Sequence, residues 1–150
     1  MKTRQILLVD DNANDVELTL AVLDEHNLAN RVAVARDGAE ALDYLYRRGR
    51  FAGRSNEDPV VILLDLKMPK VDGLEVLRRI KGDARLCAIP VVILTSSREE
   101  TDLVAGYRLG TNAYVVKPVE FDGLVEAVRR LGLFWALLNE PPPNGSGVAP

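Results

Sequence analysis

Short runs dominated by apolar residues punctuate this chain, and between them apolar positions recur every three or four residues. Gln5 to Val9, Arg31 to Ala35, Val60 to Leu64, Pro90 to Thr95 and Asn112 to Val116 read as strands. A half-buried strand would alternate apolar and polar residues, so unbroken runs imply a sheet covered on both faces. Asn14, with Glu17 three residues on, predicts a capped helix carrying Val16, Leu18, Leu20, Val22 and Leu23 and ending at Asn27. A second helix runs through Ala39, Ala41, Leu42, Leu45 and Tyr46, and a third through Leu74, Val76, Leu77 and Ile80 to Gly82. Arg98 to Leu109 predicts a fourth, with Gly110 beyond its end. The last begins near Glu120 and carries Phe121, Leu124, Val125, Val128 and Leu131. Five strands alternating with five helices predict an α/β fold, a doubly wound five-stranded parallel sheet.

The connections add detail. Gly49 to Asp58 is polar and longer than most loops in a compact domain. Its arginines, Arg47, Arg48, Arg50 and Arg54, read as a solvated charged run. Pro141-Pro142-Pro143 opens a Pro- and Gly-bearing stretch, so we expect one domain over 1–139 and a disordered tail over 140–150.

Composition narrows the function classes. At 150 residues the chain has the size of one domain with a single core. Its 22 acidic and 19 basic side chains give a net charge of −3, which offers no general attraction to nucleic acid or an anionic membrane. No apolar stretch is long enough to span a bilayer, and a strand pattern begins within a few residues of Met1, which leaves no room for a signal peptide. A lone cysteine, Cys87, forms no internal disulfide and suits a reducing compartment. These features predict a cytoplasmic protein.

The chemistry lies where the strands stop. The third run ends in Asp65, before Met68-Pro69 and the Asp72-Gly73 pair break the chain into a loop. The first ends in Asp10-Asp11, the fourth in Thr95 and the fifth in Lys117-Pro118. In a doubly wound sheet these carboxyl ends share one edge, where ligand crevices form. Three carboxylates meeting there repel one another unless a cation neutralises them. Oxygen ligands with no histidine or thiolate nearby point to Mg2+ or a similar divalent ion. The sole histidine, His26, falls at the far end of the first helix. An ammonium and a hydroxyl beside one carboxylate then make a site for phosphoryl transfer, with the carboxylate as nucleophile.

The set Asp10-Asp11, Asp65 with Met68-Pro69 and Asp72-Gly73, Thr95, and Tyr114 followed by Lys117-Pro118 resembles the receiver domain of two-component response regulators. The resemblance runs from Ile6 to about Leu131. It implies the flavodoxin-like receiver fold and a phosphoryl group passed from a histidine kinase to Asp65. It further implies Mg2+ held by Asp10, Asp11, Asp65 and the backbone carbonyl of Lys67. Lys117 would contact the phosphoryl group, often with a cis peptide to Pro118. Thr95 and Tyr114 would act as the switch pair, the hydroxyl moving toward the phosphoryl oxygen and the aromatic ring turning inward. Such a protein is a phosphoacceptor that assists its own phosphorylation and slow dephosphorylation, and is not otherwise an enzyme.

The chain continues past the point where a minimal receiver ends, through Leu133-Phe134-Trp135-Ala136-Leu137-Leu138. A helix apolar all round has more surface than its own core covers, and exposed aromatics mark partners. We therefore expect a homodimer interface including Phe121, Leu133, Phe134, Trp135 and Leu138. This extension, the long loop and the Leu138-Asn139-Glu140-Pro141-Pro142-Pro143 ending are similar to the small stand-alone response regulators of bacterial phytochrome kinases. Three rivals compete with this assignment. A haloacid-dehalogenase-type hydrolase also forms an aspartyl-phosphate, but its nucleophile sits on the first strand in an Asp-x-Asp arrangement. A flavodoxin-like cofactor binder needs a Gly/Ser/Thr phosphate cradle where this chain is acidic. A non-phosphorylated scaffold would have no use for a full set of reactive positions.

Overall fold

The computed structural model describes residues 5–25, 32–54, 57–66, 68, 72–95 and 113–130. In chain order these form β1 (Ile6–Val9), α1 (Ala13–Asp24), β2 (Val32–Ala35), α2 (Gly38–Tyr46), β3 (Val61–Asp65), α3 (Gly73–Gly82), β4 (Val91–Thr95), β5 (Tyr114–Val116) and α4 (Phe121–Arg130). Short 3-10 turns occupy Gly49–Phe51 and Leu86–Ala88. The expected helix over Arg98–Leu109, together with His26, Lys67, Leu131 and everything after it, lies outside the described residues.

All strand pairs are parallel, in the order β2-β1-β3-β4-β5. This is the doubly wound parallel arrangement expected from the alternating pattern, and its strand order is the flavodoxin-like one that the resemblance implies. The three central strands are buried along their full length, which is why their sequences run apolar without alternation. Both faces are covered. Leu7, Val9, Ile62, Leu64 and Ile93 pack with Ala41, Leu45, Val76, Leu77 and Ile80 from α2 and α3. Ile6, Leu8, Leu63, Val92 and Leu94 pack with Val16 and Leu23 of α1 and Leu124 and Ala127 of α4. The edge strands are less enclosed: Val32, Ala33 and Val34 are half-buried, and Val116 is exposed.

The helices α1, α2 and α3 each begin with a side-chain cap. Asp37 and Asp72 accept hydrogen bonds from the backbone N–H of Glu40 (2.8 Å) and Glu75 (3.0 Å), which satisfies donors that a helix start otherwise leaves unpaired. For α1 the cap is Asn12, whose Oδ1 accepts from the Asp15 N–H at 2.9 Å. The Asn14–Glu17 pairing expected from sequence is thus displaced by two residues, because the chain turns into helix directly from the tip of β1. The buried face is also narrower than the run of apolar residues. Thr19 is buried and Leu18 is 52% exposed, since only Val16, Thr19, Leu20 and Leu23 fit a helical stripe.

The arginine-bearing loop departs from expectation. It is folded against α2, and Arg54 is among its most enclosed side chains. The Arg54 guanidinium lies 4.2 Å from the Tyr44 ring centroid, and its Nε donates to the Tyr44 carbonyl at 2.8 Å. A further donor reaches the Glu57 carbonyl. Asp58 adds charge compensation for Arg54, Arg47 and Arg85, closest to Arg85 at 2.6 Å. Only Arg48 and Arg50 match the solvated reading, with side chains 57% and 62% exposed.

Candidate functional site

Register explains how distant residues meet. Val9 pairs with Leu64, so the next residues along these neighbouring strands are Asp10 and Asp65. One strand over, Thr95 pairs with Val116, and the N–H of the following residue, Lys117, donates to the Thr95 carbonyl at 2.8 Å. Asp10, Asp65, Thr95 and Lys117 therefore sit along a single sheet edge, beside the point where the strand order reverses between β1 and β3. Asp10 and Thr95 are fully buried and Asp65 is 6% exposed, whereas Asp11 faces solvent.

Buried carboxylates are costly unless charge and hydrogen bonds compensate them. Lys117 supplies that charge. Its Nζ lies 3.0 Å from Asp10 Oδ2, 2.9 Å from Asp15 Oδ2 and 3.1 Å from Asp65 Oδ2. It donates hydrogen bonds to Asp15 and Asp65. The buried Asp10 Oδ2 lies within ion-pair distance but outside hydrogen-bonding geometry, while its Oδ1 accepts from the Asn12 N–H at 3.0 Å. Burial works against the Lys117 charge, but the carboxylates Asp15, Asp10 and Asp65 outweigh it and raise the ammonium above the ordinary lysine range. A raised lysine contributes its full stabilisation below the usual value near ~10.4 and loses it only as pH climbs through the higher folded value. Lys117 is thus positively charged at any physiological pH. The Lys117–Pro118 peptide is cis.

One carboxylate oxygen each from Asp10, Asp11 and Asp65 lies within 4.8 Å of the others. Three hard oxygen donors this close, with a buried Asp10 oxygen lacking a hydrogen bond, fit a divalent cation. Lys67, whose carbonyl was expected to complete the set, lies outside the described residues. So do Leu133, Phe134, Trp135 and Leu138. Phe121 is half-buried against the core between the sheet, α1 and α4. Tyr114 begins β5 opposite Ile93, half-buried against the core on the α2–α3 side, on the same strand as the residue paired with Thr95.

Asp15 is the site residue that sequence reasoning missed. Its signal was present, since Asn12-Ala13-Asn14-Asp15 carries the spacing of a cap and its third helical residue directly after the strand tip.

The chain is similar to known proteins along most of its length. The bacteriophytochrome response regulator AtBRR is 61% identical with a TM-score of 0.87, over 93% of this chain and 100% of that one. The Mn(2+)-bound form of response regulator Rcp1 is 35% identical with a TM-score of 0.70, over 98% of this chain and 99% of the other. The probable methanogenesis regulatory protein FilR2 of Methanothrix harundinacea (strain 6Ac) is 42% identical over 137 residues, 91% of this chain and 86% of FilR2. The family pattern described as "Response regulator receiver domain" matches residues 6–129, and with the acidic cup, the strand order and these relatives in agreement, the chain belongs to the response regulator receiver family.

Proposed function

We propose that the chain accepts a phosphoryl group from a phosphohistidine of a sensor kinase onto Asp65, in a step requiring Mg2+. The observation that carries this reading is Asp65 itself: a strand-tip carboxylate 3.1 Å from a charged lysine and clustered with two further carboxylates. An oxygen of Asp65 attacks phosphorus, the P–N bond breaks, and its electron pair returns to the departing imidazole nitrogen. Lys117 and the Thr95 hydroxyl are the groups at this edge that donate to phosphoryl oxygens as charge builds on them. Asp10, Asp11 and Asp65, with the Lys67 carbonyl that the resemblance implies, would hold a divalent ion, which when bound would supply neutralising charge for the same oxygens. The acyl phosphate is lost slowly by hydrolysis at the same site.

Phosphorylation adds about −1.5 to −2 charges at one strand tip. Thr95 and Tyr114, on neighbouring strands, form the switch pair that carries this change to the surface through β4 and β5. The kinase is of phytochrome type, a reading supported by resemblance to proteins titled bacteriophytochrome response regulators. The protein works in the cytoplasm as a homodimer, with Phe121, Leu133, Phe134, Trp135 and Leu138 at the interface. Sedimentation of a variant ending at Leu131 tests that interface: loss of dimer mass is expected, and unchanged mass would remove the extension from it.

Incubation with a small phosphodonor and Mg2+, followed by intact mass measurement, tests the main claim. We expect the wild type to gain one phosphoryl group, and Asp65→Asn, or the wild type with chelator, to gain none. Equal uptake by wild type and Asp65→Asn would refute Asp65 as acceptor.

A further inference from the structure

The contacts around Lys117 close into a ring. The Asn12 N–H donates to Asp10 Oδ1 at 3.0 Å, and the Asp15 N–H donates to Asn12 Oδ1 at 2.9 Å. Lys117 Nζ donates to Asp15 Oδ2 at 2.9 Å and lies 3.0 Å from Asp10 Oδ2. The residue that caps α1 thereby touches both the Asp10 carboxylate and the Asp15 backbone. Asp15 sits in the first turn of α1, where the unpaired N–H groups and helix dipole favour a negative charge.

Asp15 differs from the other two partners of the ammonium. Asp10 and Asp65 belong to the trio suited to a cation, and Asp15 does not. A cation drawing on Asp10 and Asp65 competes with Lys117 for both, since a lysine and a metal ion seek the same oxygens. Asp15 is the contact that this competition leaves to the lysine. A flexible four-carbon stem with a strongly hydrated head would otherwise turn toward water.

Building on the reading of Asp65 as phosphoacceptor, we propose that Asp15 is a positioning residue that holds the Lys117 ammonium at the strand edge when Asp10 and Asp65 are engaged by a divalent ion. Asp15 touches neither the phosphoryl group nor the metal and acts through Lys117. Removal of its charge frees the lysine and lowers the rate of phosphoryl uptake at saturating Mg2+, while the apparent affinity for the donor changes little.

The test uses the full chain with Asp15→Asn and Asp15→Ser, the serine variant retaining a side chain common at helix starts. In 15N-labelled protein with Mg2+, the Lys117 ammonium should give an observable, slowly exchanging proton–nitrogen signal in the wild type. That signal should broaden in both variants. With phosphoramidate as donor, the maximal phosphorylation rate should fall about fivefold, equivalent to ~1 kcal/mol of barrier. The same Asp15 substitution should cause no further loss in a Lys117→Ala background. An unchanged ammonium signal in both variants would overturn the proposal. An equal loss of rate with or without Lys117 would also overturn it, because Asp15 would then act elsewhere. Should wild type and Asp65→Asn take up phosphate equally, the functional reading fails, and the ammonium signal still decides the role of Asp15.

Discussion

Gly73 lies directly against the backbone of Asp65. A Cβ at Gly73 would overlap the Asp65 carbonyl oxygen and come within 2.5 Å of the Leu66 Cα. Its N–H donates to the Leu66 carbonyl at 2.9 Å, so α3 starts pressed against the tip of β3. The glycine here answers to space, since its neighbour is rigid main chain and not the end of a mobile side chain. Gly73→Ala must push α3 from the strand, and such overpacking costs about 1–3 kcal/mol. Chemical denaturation should show that loss, and the phosphorylation rate should fall with it because Asp65 moves. Gly82→Ala, where a Cβ meets nothing within 4 Å, serves as the control and should leave the rate unchanged.

Lys117 and a divalent ion compete for the oxygens of Asp10 and Asp65. Removing the ammonium leaves these buried carboxylates without their compensating charge. Lys117→Ala should therefore destabilise the metal-free protein and bind Mg2+ about tenfold more tightly, ~1.4 kcal/mol. Calorimetric titration checks both the direction and the size. Weaker Mg2+ binding by the variant would mean that the lysine cooperates with the ion.

The loop arginines separate structural charge from solvated charge. Asp58 faces Arg54, Arg47 and Arg85, and Arg85 also donates to the Leu45 carbonyl at 2.7 Å. Asp58→Ala removes the hydrogen bond from Arg85 and the charge that faces the enclosed Arg54, and should cost about 1–3 kcal/mol, in the range for hydrogen-bonded charged groups. Asp43→Ala breaks only an exposed pair with Arg48, 3.4 Å apart, and should stay within about 0.5 kcal/mol. Thermal denaturation of the two variants side by side provides the comparison.

Tyr46 Oη donates to Asp83 Oδ2 at 2.8 Å, joining α2 to the turn after α3. That hydrogen bond, helped by the N–H groups of Leu86 and Arg85, holds Asp83 below the usual carboxylate range. A depressed carboxylate stabilises above its unfolded value, near ~3.9, and loses that contribution as pH falls through its lower folded value. Tyr46→Phe should therefore be less stable than wild type at neutral pH, and the gap should close as the solution is acidified below about 4. Denaturation midpoints measured from pH 7 down to pH 3 follow the gap.

Much of this architecture was legible because one physical signal dominates it. Short apolar runs that end in polar turn residues read as strands covered on both sides, and β1, β3 and β4 are buried end to end. Strand tips then place Asp10, Asp65, Thr95 and Lys117 together, whatever the details of the loops. The roles of Asp15 and Arg54 were not legible for a shared reason. Both are charged residues beside other polar residues, and only the path of the chain decides whether such a residue meets water or a buried partner. The true cap at Asn12 brings Asp15 into the first turn of α1, and Leu18 is exposed because its apolar character does not match the helical spacing of Val16, Thr19 and Leu23. Tyr44 gave no hint that its ring and carbonyl would hold Arg54.

The decisive measurement locates the acyl phosphate chemically. After phosphorylation with a small donor and Mg2+, borohydride reduction converts a phosphorylated aspartate to homoserine, which peptide mass mapping assigns to a position. Homoserine is expected at residue 65 alone, present only when Mg2+ is supplied. Homoserine at residue 10, 11 or 15 with Asp65 unmodified would contradict it.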